Sequence, residues 1–174
     1  MALYYTNQID LGEIMAGTEL KKVDHTALRV NQATIIVLLL AGFVLNLWYL
    51  VAGVAMIMLL GTAIARPGFF FLYTGVLRPL RVVKPDVLND NPEPHRFAQG
   101  FGGIVAAGAA VALALGGAVG GWALTWLVIV LAALNLFVGF CAGCAVYYWL
   151  NRLNAPGFSK APPAGIVPGM RPRA

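Results

Sequence analysis

The sequence predicts an all-α membrane protein with four transmembrane helices, arranged as two parallel two-helix repeats. Hydrophobic residues make up 60% of the 174 residues and charged residues only 11%, which excludes a soluble core of this size. Two long runs, residues 30–65 and 97–151, carry no charged side chain. All twelve Lys and Arg residues lie outside these runs, in the N-terminal tail, one central loop and the C-terminal tail. Apolar runs between basic segments are typical of membrane helices.

Each uncharged run is too long for one membrane crossing. With 36 and 55 residues, the runs would reach about 54 and 83 Å as straight helices at ~1.5 Å per residue. The hydrocarbon core of a bilayer is about 30 Å thick, so each run must turn back. We expect one turn at residues 46–48 and the other in the glycine-rich residues 116–121. Because Lys and Arg mark the cytoplasmic side, both termini and the central loop are predicted to be cytoplasmic.

The expected organisation is a membrane domain between two cytoplasmic tails. The three segments are an N-terminal tail (1–23), a four-helix domain (24–152) and a proline-rich tail (153–174). Within the domain we expect a first hairpin (24–65), a cytoplasmic loop (66–96) and a second hairpin (97–152). The apolar stretch 69–77 of this loop is too short to cross, so it is expected to lie in the membrane interface.

The composition of the two tails gives further expectations. The N-terminal tail has acids at Asp10, Glu13 and Glu19 and no basic start, so it does not read as a secretory signal. Asp24, the first residue after this tail, is expected to cap the helix that leads into the first span. The prolines after Arg152 favour an extended or disordered tail unless a partner holds it.

An internal repeat relates the two halves of the membrane domain. Arg29-Val30-Asn31-Gln32 opens the first span and Arg96-Phe97-Ala98-Gln99 opens the third. Further pairs match at a constant offset of 74 once the glycine-rich turn is treated as an insertion: Trp48 with Trp122, Tyr73 with Tyr147, and Arg78 with Arg152. Because both halves begin inside, they are expected to be related by a pseudo-two-fold axis along the membrane normal.

Several segments together resemble the bacterial domain-of-unknown-function family 4395. They are Val23-Asp24, Arg29 to Gln32, Asn91-Pro92-Glu93-Pro94-His95-Arg96-Phe97-Ala98-Gln99, and Gly139-Phe140-Cys141-Ala142-Gly143-Cys144-Ala145-Val146-Tyr147. The resemblance covers residues 23–152. It implies a small integral protein of the bacterial inner membrane with a Cys-x-Gly-Cys pair, and no established reaction. His25 and His95 stand where the family more often has proline, so it implies no role for either histidine.

The most specific candidate for chemistry is the pair Cys141 and Cys144, which we interpret as catalytic. Two thiols three residues apart share a helical face and can act as a dithiol, disulfide or persulfide pair. The alternative is that cysteine is a small apolar filler, with Gly139 and Gly143 forming a close helix contact. Cys141 lies 19 residues after Trp122, or about 29 Å along a helix, which places the pair at the cytoplasmic rim.

Two further expectations concern how this pair would work. We expect Arg152, or another nearby arginine, to lower the pKa of one thiol. In a regular helix the two sulfurs do not reach ideal disulfide geometry, so an oxidised form should need local unwinding near Gly143.

A second candidate site combines the two arginine–glutamine faces. Arg29 with Gln32, and Arg96 with Gln99, each lie on one helical face, and the pseudo-two-fold axis could bring them together around an anionic headgroup or substrate. The alternative is that both arginines extend to lipid phosphate and pair with nearby acids.

A metal site is the weakest reading of the sequence. His25, His95, Cys141 and Cys144 supply the ligand types of a structural zinc site, but the usual paired-histidine spacing is missing. We therefore expect no metal and no cofactor.

The leading functional hypothesis is a thiol-redox or sulfur-relay membrane protein that exchanges with a soluble thioredoxin-like or sulfurtransferase-like partner. The rival is an accessory subunit of a larger membrane complex, docking through its proline-rich tail and through the small residues Gly102, Ala106, Ala110 and Ala114. A third reading is a small carrier of anions or lipids. Membrane lipids are expected partners, since the net charge of +5 is spread along the span borders. Nucleic acid is not, and whether the protein is an enzyme stays open.

The charge pattern predicts that a reporter fused after Ala174 is active only in the cytoplasm, because basic residues stay inside. The same reporter inserted at Gly117, in the expected outer turn, should show the opposite activity. Activity of the Ala174 fusion outside the membrane would contradict the topology.

Overall fold

The computed structural model describes residues 20–163 and 165–172, most of them helical. Expectations about Asp10, Glu13 and Glu19, and about residues 173–174, lie outside the described residues. The elements in chain order are β1 (Lys21–Asp24), α1 (His25–Val44), α2 (Trp48–Ala63), α3 (Phe70–Leu72), β2 (Val87–Asp90), α4 (Pro92–Ala114), α5 (Ala118–Ala133) and α6 (Ala142–Arg152). Helices α3 and α5 continue as π-helical turns, over Tyr73–Leu77 and Leu134–Val138 respectively.

Within the described part of the chain, three helices are long and apolar enough to cross a membrane: α1, α4, and α5 together with its π-helical extension. Helix α2 is equally apolar but has 16 residues, which reach about 24 Å, less than the ~30 Å of a hydrocarbon core. The predicted all-helical membrane protein is therefore confirmed at this level.

Helices α1 and α4, the first helices of the two predicted hairpins, end in the same kind of turn, at the positions expected from the sequence. After α1, Asn46 has a φ of 54°, and the Leu47 N–H donates to the carbonyl of Gly42 at 2.8 Å. After α4, Gly116 has a φ of 84°, and the Gly117 N–H donates to Ala112 at 2.8 Å. A left-handed residue followed by this long backward hydrogen bond satisfies the last free carbonyls of a helix.

A short β-ribbon, which the sequence did not predict, joins the starts of α1 and α4. Strands β1 and β2 pair antiparallel with Lys21 opposite Asp90 and Asp24 opposite Val87. Asp24 caps α1 as expected, since its Oδ1 accepts from the Thr26 N–H at 3.0 Å. The ribbon therefore fixes the N-termini of two long helices beside each other.

The core lies between the long helices and uses small residues to bring them close. Ala106, Ala109 and Ala110 of α4 are buried against α2, whose Val51 and Val54 are also buried. A close approach of two helix backbones needs small side chains at the contact. Two residues of the small-residue stripe are thus used within the chain.

The sequence predicts one unbroken fourth helix that runs from Trp122 past both cysteines to Trp149, and this prediction is wrong. Helix α5 and its π-helical extension end at Gly139, whose φ of 74° is left-handed, and Cys141 has an extended backbone with a φ of −94°. A separate helix, α6, then begins at Ala142. The interruption arises because glycine adopts the left-handed conformation without the steric penalty that other residues meet.

Gly143 has a packing role in place of the expected unwinding. A Cβ added there would lie 2.6 Å from the Ala98 Cβ of α4. The first turn of α6 therefore packs directly on α4. The interruption of the helix lies four residues earlier, at Gly139.

We predict that Gly143→Ala destabilises the protein by about 1–3 kcal/mol, because the added methyl overpacks the contact with Ala98. Gly108→Ala is the matched control, since a Cβ there would meet nothing within 4 Å and alanine gains about 0.5–1 kcal/mol over glycine in a helix. Thermal unfolding in detergent measures both. Equal stability of Gly143→Ala and the native protein would refute close packing of α6 on α4.

Candidate functional site

The two cysteines lie at the start of α6, not in the middle of a helix. Cys141 is the N-cap residue, and its Sγ accepts a hydrogen bond from the Cys144 N–H at 3.2 Å. The cysteines are joined as a disulfide with a Cα–Cα distance of 5.2 Å. Both are buried, with 5% and 3% of their surface exposed. Free N–H groups at a helix start favour negative charge, so this position stabilises a thiolate on Cys141.

His95 connects the disulfide to a buried carboxylate. Its Nδ1 lies 3.5 Å from the Sγ of Cys144, and its Nε2 lies 2.9 Å from Oδ2 of Asp90. A carboxylate only accepts hydrogen bonds, so a neutral His95 carries its proton on Nε2 and turns the lone pair of Nδ1 toward the sulfur. The sulfur, imidazole and carboxylate therefore form a chain along which a proton can move.

Asp90 holds its charge although it is buried. Burial alone would raise the pKa of this carboxyl, but the His25 and His95 side chains and the Asn91 N–H more than offset it, so the pKa lies well below its usual range. The Asn91 N–H donates to Oδ1 at 2.8 Å. His25 Nε2 lies 3.2 Å from Oδ2 but has no hydrogen-bond partner of suitable geometry among the described residues.

A cavity of about 410 Å³ opens beside the disulfide. Both cysteines line it, together with the arginines of two different segments, Arg29 of α1 and Arg171 of the C-terminal tail. Burial lowers the pKa of Arg171, and repulsion by the charge of Arg29 lowers it further. Two carboxylates, Asp86 and Asp90, line the same cavity, so the arginine charges beside the sulfur atoms are balanced within it.

The end of the tail lies over the disulfide. We call residues 169–172 the C-terminal strap. The Cys141 N–H donates to the Gly169 carbonyl at 2.7 Å, and the Arg171 N–H donates to the Gly139 carbonyl at 2.9 Å. Arg171 also forms an ion pair with Asp86. This part of the tail, which the sequence predicts to be extended or disordered unless a partner holds it, is held by contacts within the chain itself.

The four residues of the predicted anion site do not form one site. Arg29 and Gln32 line the 410 Å³ cavity, whereas Arg96 donates from Nε to the Thr62 carbonyl at 2.7 Å. Gln99 Nε2 donates to the Met58 carbonyl at 3.0 Å, so it ties α4 to α2. A smaller cavity of about 130 Å³ is lined by both Gln32 and Gln99, but no arginine lines it.

Arg152, the first of the arginines expected to influence a thiol, lies away from the two cysteines. It ends α6, about 16 Å along the helix from Cys141. The cationic side chains beside the sulfur atoms are those of Arg29 and Arg171. The contribution of Arg171 had no signal in the sequence, because it depends on the fold of the tail.

A second buried contact anchors the segment after α2. The Tyr73 hydroxyl donates to Oδ2 of Asp24 at 2.5 Å. Burial and this hydrogen bond raise the pKa of Tyr73 to about 12. Asn31 adds a further contact, since its Oδ1 accepts from the Phe69 N–H at 2.9 Å. The loop between the two halves is thus tied to α1.

Two overlapping groups of metal-ligand atoms occur among the described residues. One group is His95, Cys141 and Cys144, and the other is His25, Asp90 and His95; within each group the atoms lie within 4.8 Å of one another. The sequence offers His25, His95 and the two cysteines as ligand types, but it does not indicate that Asp90 joins them or which of them lie together. The fold brings them together because β2, α4 and α6 all start or end at this point.

Comparison with known proteins gives one match. A family model described as Domain of unknown function (DUF4395) matches residues 23–152. No curated protein and no solved structure matches the chain.

We predict that Gly169→Ala displaces the strap and exposes the sulfur atoms. A Cβ there would lie 2.8 Å from the Cys141 carbonyl and 2.9 Å from the Ala145 Cβ. After reduction, the rate of thiol labelling by a maleimide should rise roughly tenfold, since overpacking typically costs about 1–3 kcal/mol.

The matched control for the strap is Gly157→Ala. Gly157 has a φ of 90°, close to the 86° of Gly169, but a Cβ there would meet nothing within 4 Å. Both variants carry the backbone strain, and only one carries the clash. Equal labelling rates for the two variants would show that the strap does not shield the cysteines.

Proposed function

Because the chain belongs to the family described as Domain of unknown function (DUF4395), whose name assigns no reaction, we propose from the site itself that this protein is a membrane dithiol–disulfide exchange protein. One observation carries the proposal. The Cys141–Cys144 disulfide lies at a helix start, with the Cys144 sulfur 3.5 Å from an imidazole that a buried carboxylate orients.

The arrangement supports reduction of the pair by a partner dithiol in two steps. In the first, a partner thiol gives its proton to Nδ1 of His95 and its sulfur attacks Sγ of Cys141. The Cys141–Cys144 bond breaks, its electron pair goes to Cys144, and His95 passes the proton to that thiolate. Asp90 stabilises the imidazolium between these two transfers.

In the second step the partner's other thiol attacks the partner sulfur of the mixed disulfide. Cys141 leaves as a thiolate, which the Cys144 N–H stabilises at the helix start. The proton of the second thiol returns to Cys141 or passes to solvent. The partner is thereby oxidised by two electrons, and the protein pair is reduced by two. Run in reverse, the same steps oxidise the protein.

The proposal includes four membrane spans in two repeats. Ala65 and Gly139 are both left-handed, with φ values of 56° and 74°, and they are separated by the offset that relates Trp48 to Trp122. The β-ribbon agrees with a two-fold axis between its strands. A half-turn about that axis exchanges β1 with β2, and with them the Lys21–Asp90 and Asp24–Val87 pairs. These features support helix α2, together with the left-handed turn that follows it, as the one remaining membrane span.

The basic residues support a cytoplasmic position for the cysteines in the bacterial inner membrane. The partner is then a soluble dithiol protein of the thioredoxin type. The alternative role as an accessory subunit has weaker support, because Ala106 and Ala110 of its proposed docking stripe are buried within the chain.

We predict that Cys144→Ser accumulates a mixed disulfide through Cys141 with a thioredoxin-type probe protein, whereas Cys141→Ser does not. In the otherwise native pair, His95→Gln should slow reduction by the probe about 100-fold or more, because proton transfer contributes about 10²–10⁴-fold. Reduction is followed by gel shift after thiol labelling.

Arg152→Gln is the control for these variants, since Arg152 lies at the far end of the same helix. It should react at the native rate. A pair that the probe cannot reduce, or a His95→Gln variant that reacts as fast as the native protein, would contradict the exchange mechanism.

A further inference from the structure

We propose that the reduced centre binds one Zn²⁺ through the Sγ atoms of Cys141 and Cys144 and the Nδ1 atom of His95. This inference rests on the proposed function in one respect, namely that the disulfide can be opened. It goes beyond that function because it assigns a metal site, which exists in one redox state and is absent in the other.

The distance between the nitrogen and the sulfur fits a coordination sphere. Tetrahedral zinc has bonds of about 2.3 Å to sulfur and 2.0–2.1 Å to nitrogen, which separates the two ligand atoms by roughly 3.5 Å. Nδ1 of His95 lies 3.5 Å from Sγ of Cys144. The imidazole is therefore already positioned as a ligand, with its lone pair toward the sulfur atoms.

The two sulfurs come from a suitable segment. A Cys-x₂-Cys spacing is common in zinc sites. Cys141 is the extended N-cap residue and lies outside the regular helix, while Cys144 lies in the first turn. The N-cap side chain can rotate once the disulfide opens, so the sulfurs can separate to the roughly 3.8 Å that two zinc-bound thiolates need.

Asp90 completes the site from behind. Histidines that bind metals almost always donate their other ring N–H to a carboxylate or carbonyl, which fixes the ring and its tautomer. Nε2 of His95 lies 2.9 Å from Oδ2 of Asp90, and Asp90 is itself fixed by the Asn91 N–H. The 410 Å³ cavity, lined by all three ligands, leaves room for a fourth ligand such as water.

A competing set is formed by His25, Asp90 and His95. It would use Nε2 of His95 and would keep the disulfide intact. The thiolate set is favoured because zinc prefers sulfur over carboxylate here, and because it leaves the hydrogen bond between His95 and Asp90 in place. The two sets make different predictions, since the thiolate set binds metal only after reduction and the competing set binds it in both redox states.

The coupled reaction is balanced with a dithiol as reductant. The dithiol is oxidised to a disulfide while Cys141 and Cys144 become thiols, and Zn²⁺ then displaces both thiol protons. Oxidation of the pair removes both thiolate ligands and releases the ion. Zinc binding should therefore make the reduced state harder to oxidise.

The test uses the full chain in detergent, reduced with a phosphine and stripped of metal. Zn²⁺ is titrated in competition with a chromophoric chelator, and Co²⁺ is used as a spectroscopic substitute. We expect one Zn²⁺ per reduced chain, at least 100-fold weaker binding to the oxidised chain, and a sulfur-to-cobalt charge-transfer band only after reduction. The oxidised protein controls for folding, because its sequence is unchanged.

Three variants distinguish the two ligand sets. Cys144→Ser should remove most of the charge-transfer band, and Asp90→Asn should weaken zinc binding by about 10–100-fold. His25→Gln should weaken it less than Asp90→Asn does, because it removes one of three contacts to Asp90 and leaves the carboxylate in place. Binding that is equal in both redox states, or that is lost in His25→Gln and kept in Cys144→Ser, would overturn the inference in favour of the competing set.

Thiol labelling of the same samples separates this inference from the proposed function. If both thiols are free and no zinc binds, the zinc site is refuted and the exchange function stands. If the disulfide resists every reductant, both are refuted, since the metal site can then never form.

Discussion

The whole centre depends on one buried carboxylate, that of Asp90. This residue ends β2, pairs with Lys21 across the ribbon and contacts the histidines at the starts of α1 and α4. A buried charge is expensive unless hydrogen bonds compensate for the water that it loses. The compensation comes from elements that are distant in sequence, so placing this one charge also places the ribbon, two helix starts and the imidazole beside the sulfur.

The same constraint explains why the disulfide lies where it does. Gly139 ends the fifth helix in a left-handed conformation, and the next residues turn the chain so that α6 starts beside His95. Close packing of Gly143 on Ala98 holds that start against α4. Had the helix continued, the two sulfurs would lie on its side, away from free N–H groups that stabilise a thiolate.

The sequence predicts the helices well and the centre only in part. Charge spacing locates the apolar segments, and Asn46 and the glycines near 116 mark the turns. The break at Gly139 is hidden because it lies inside an apolar run with no charged residue and no proline to mark it. His95 and Cys144 are 49 residues apart, and no local pattern reports that they meet. The ribbon strands have four residues each, too few for a recognisable alternation.

Cys141 lies between two cavities of unlike character. The larger one is lined by Arg29, Arg171 and the buried carboxylate, whereas the smaller one is lined mainly by apolar side chains such as Ile35, Met58 and Leu127. Cys141 therefore borders one polar cavity and one apolar cavity. A polar reagent would reach Cys141 from the larger cavity, and an apolar reagent would reach it from the smaller one. The oil–water partition coefficient of the reagent, and not its charge alone, therefore decides the side of approach.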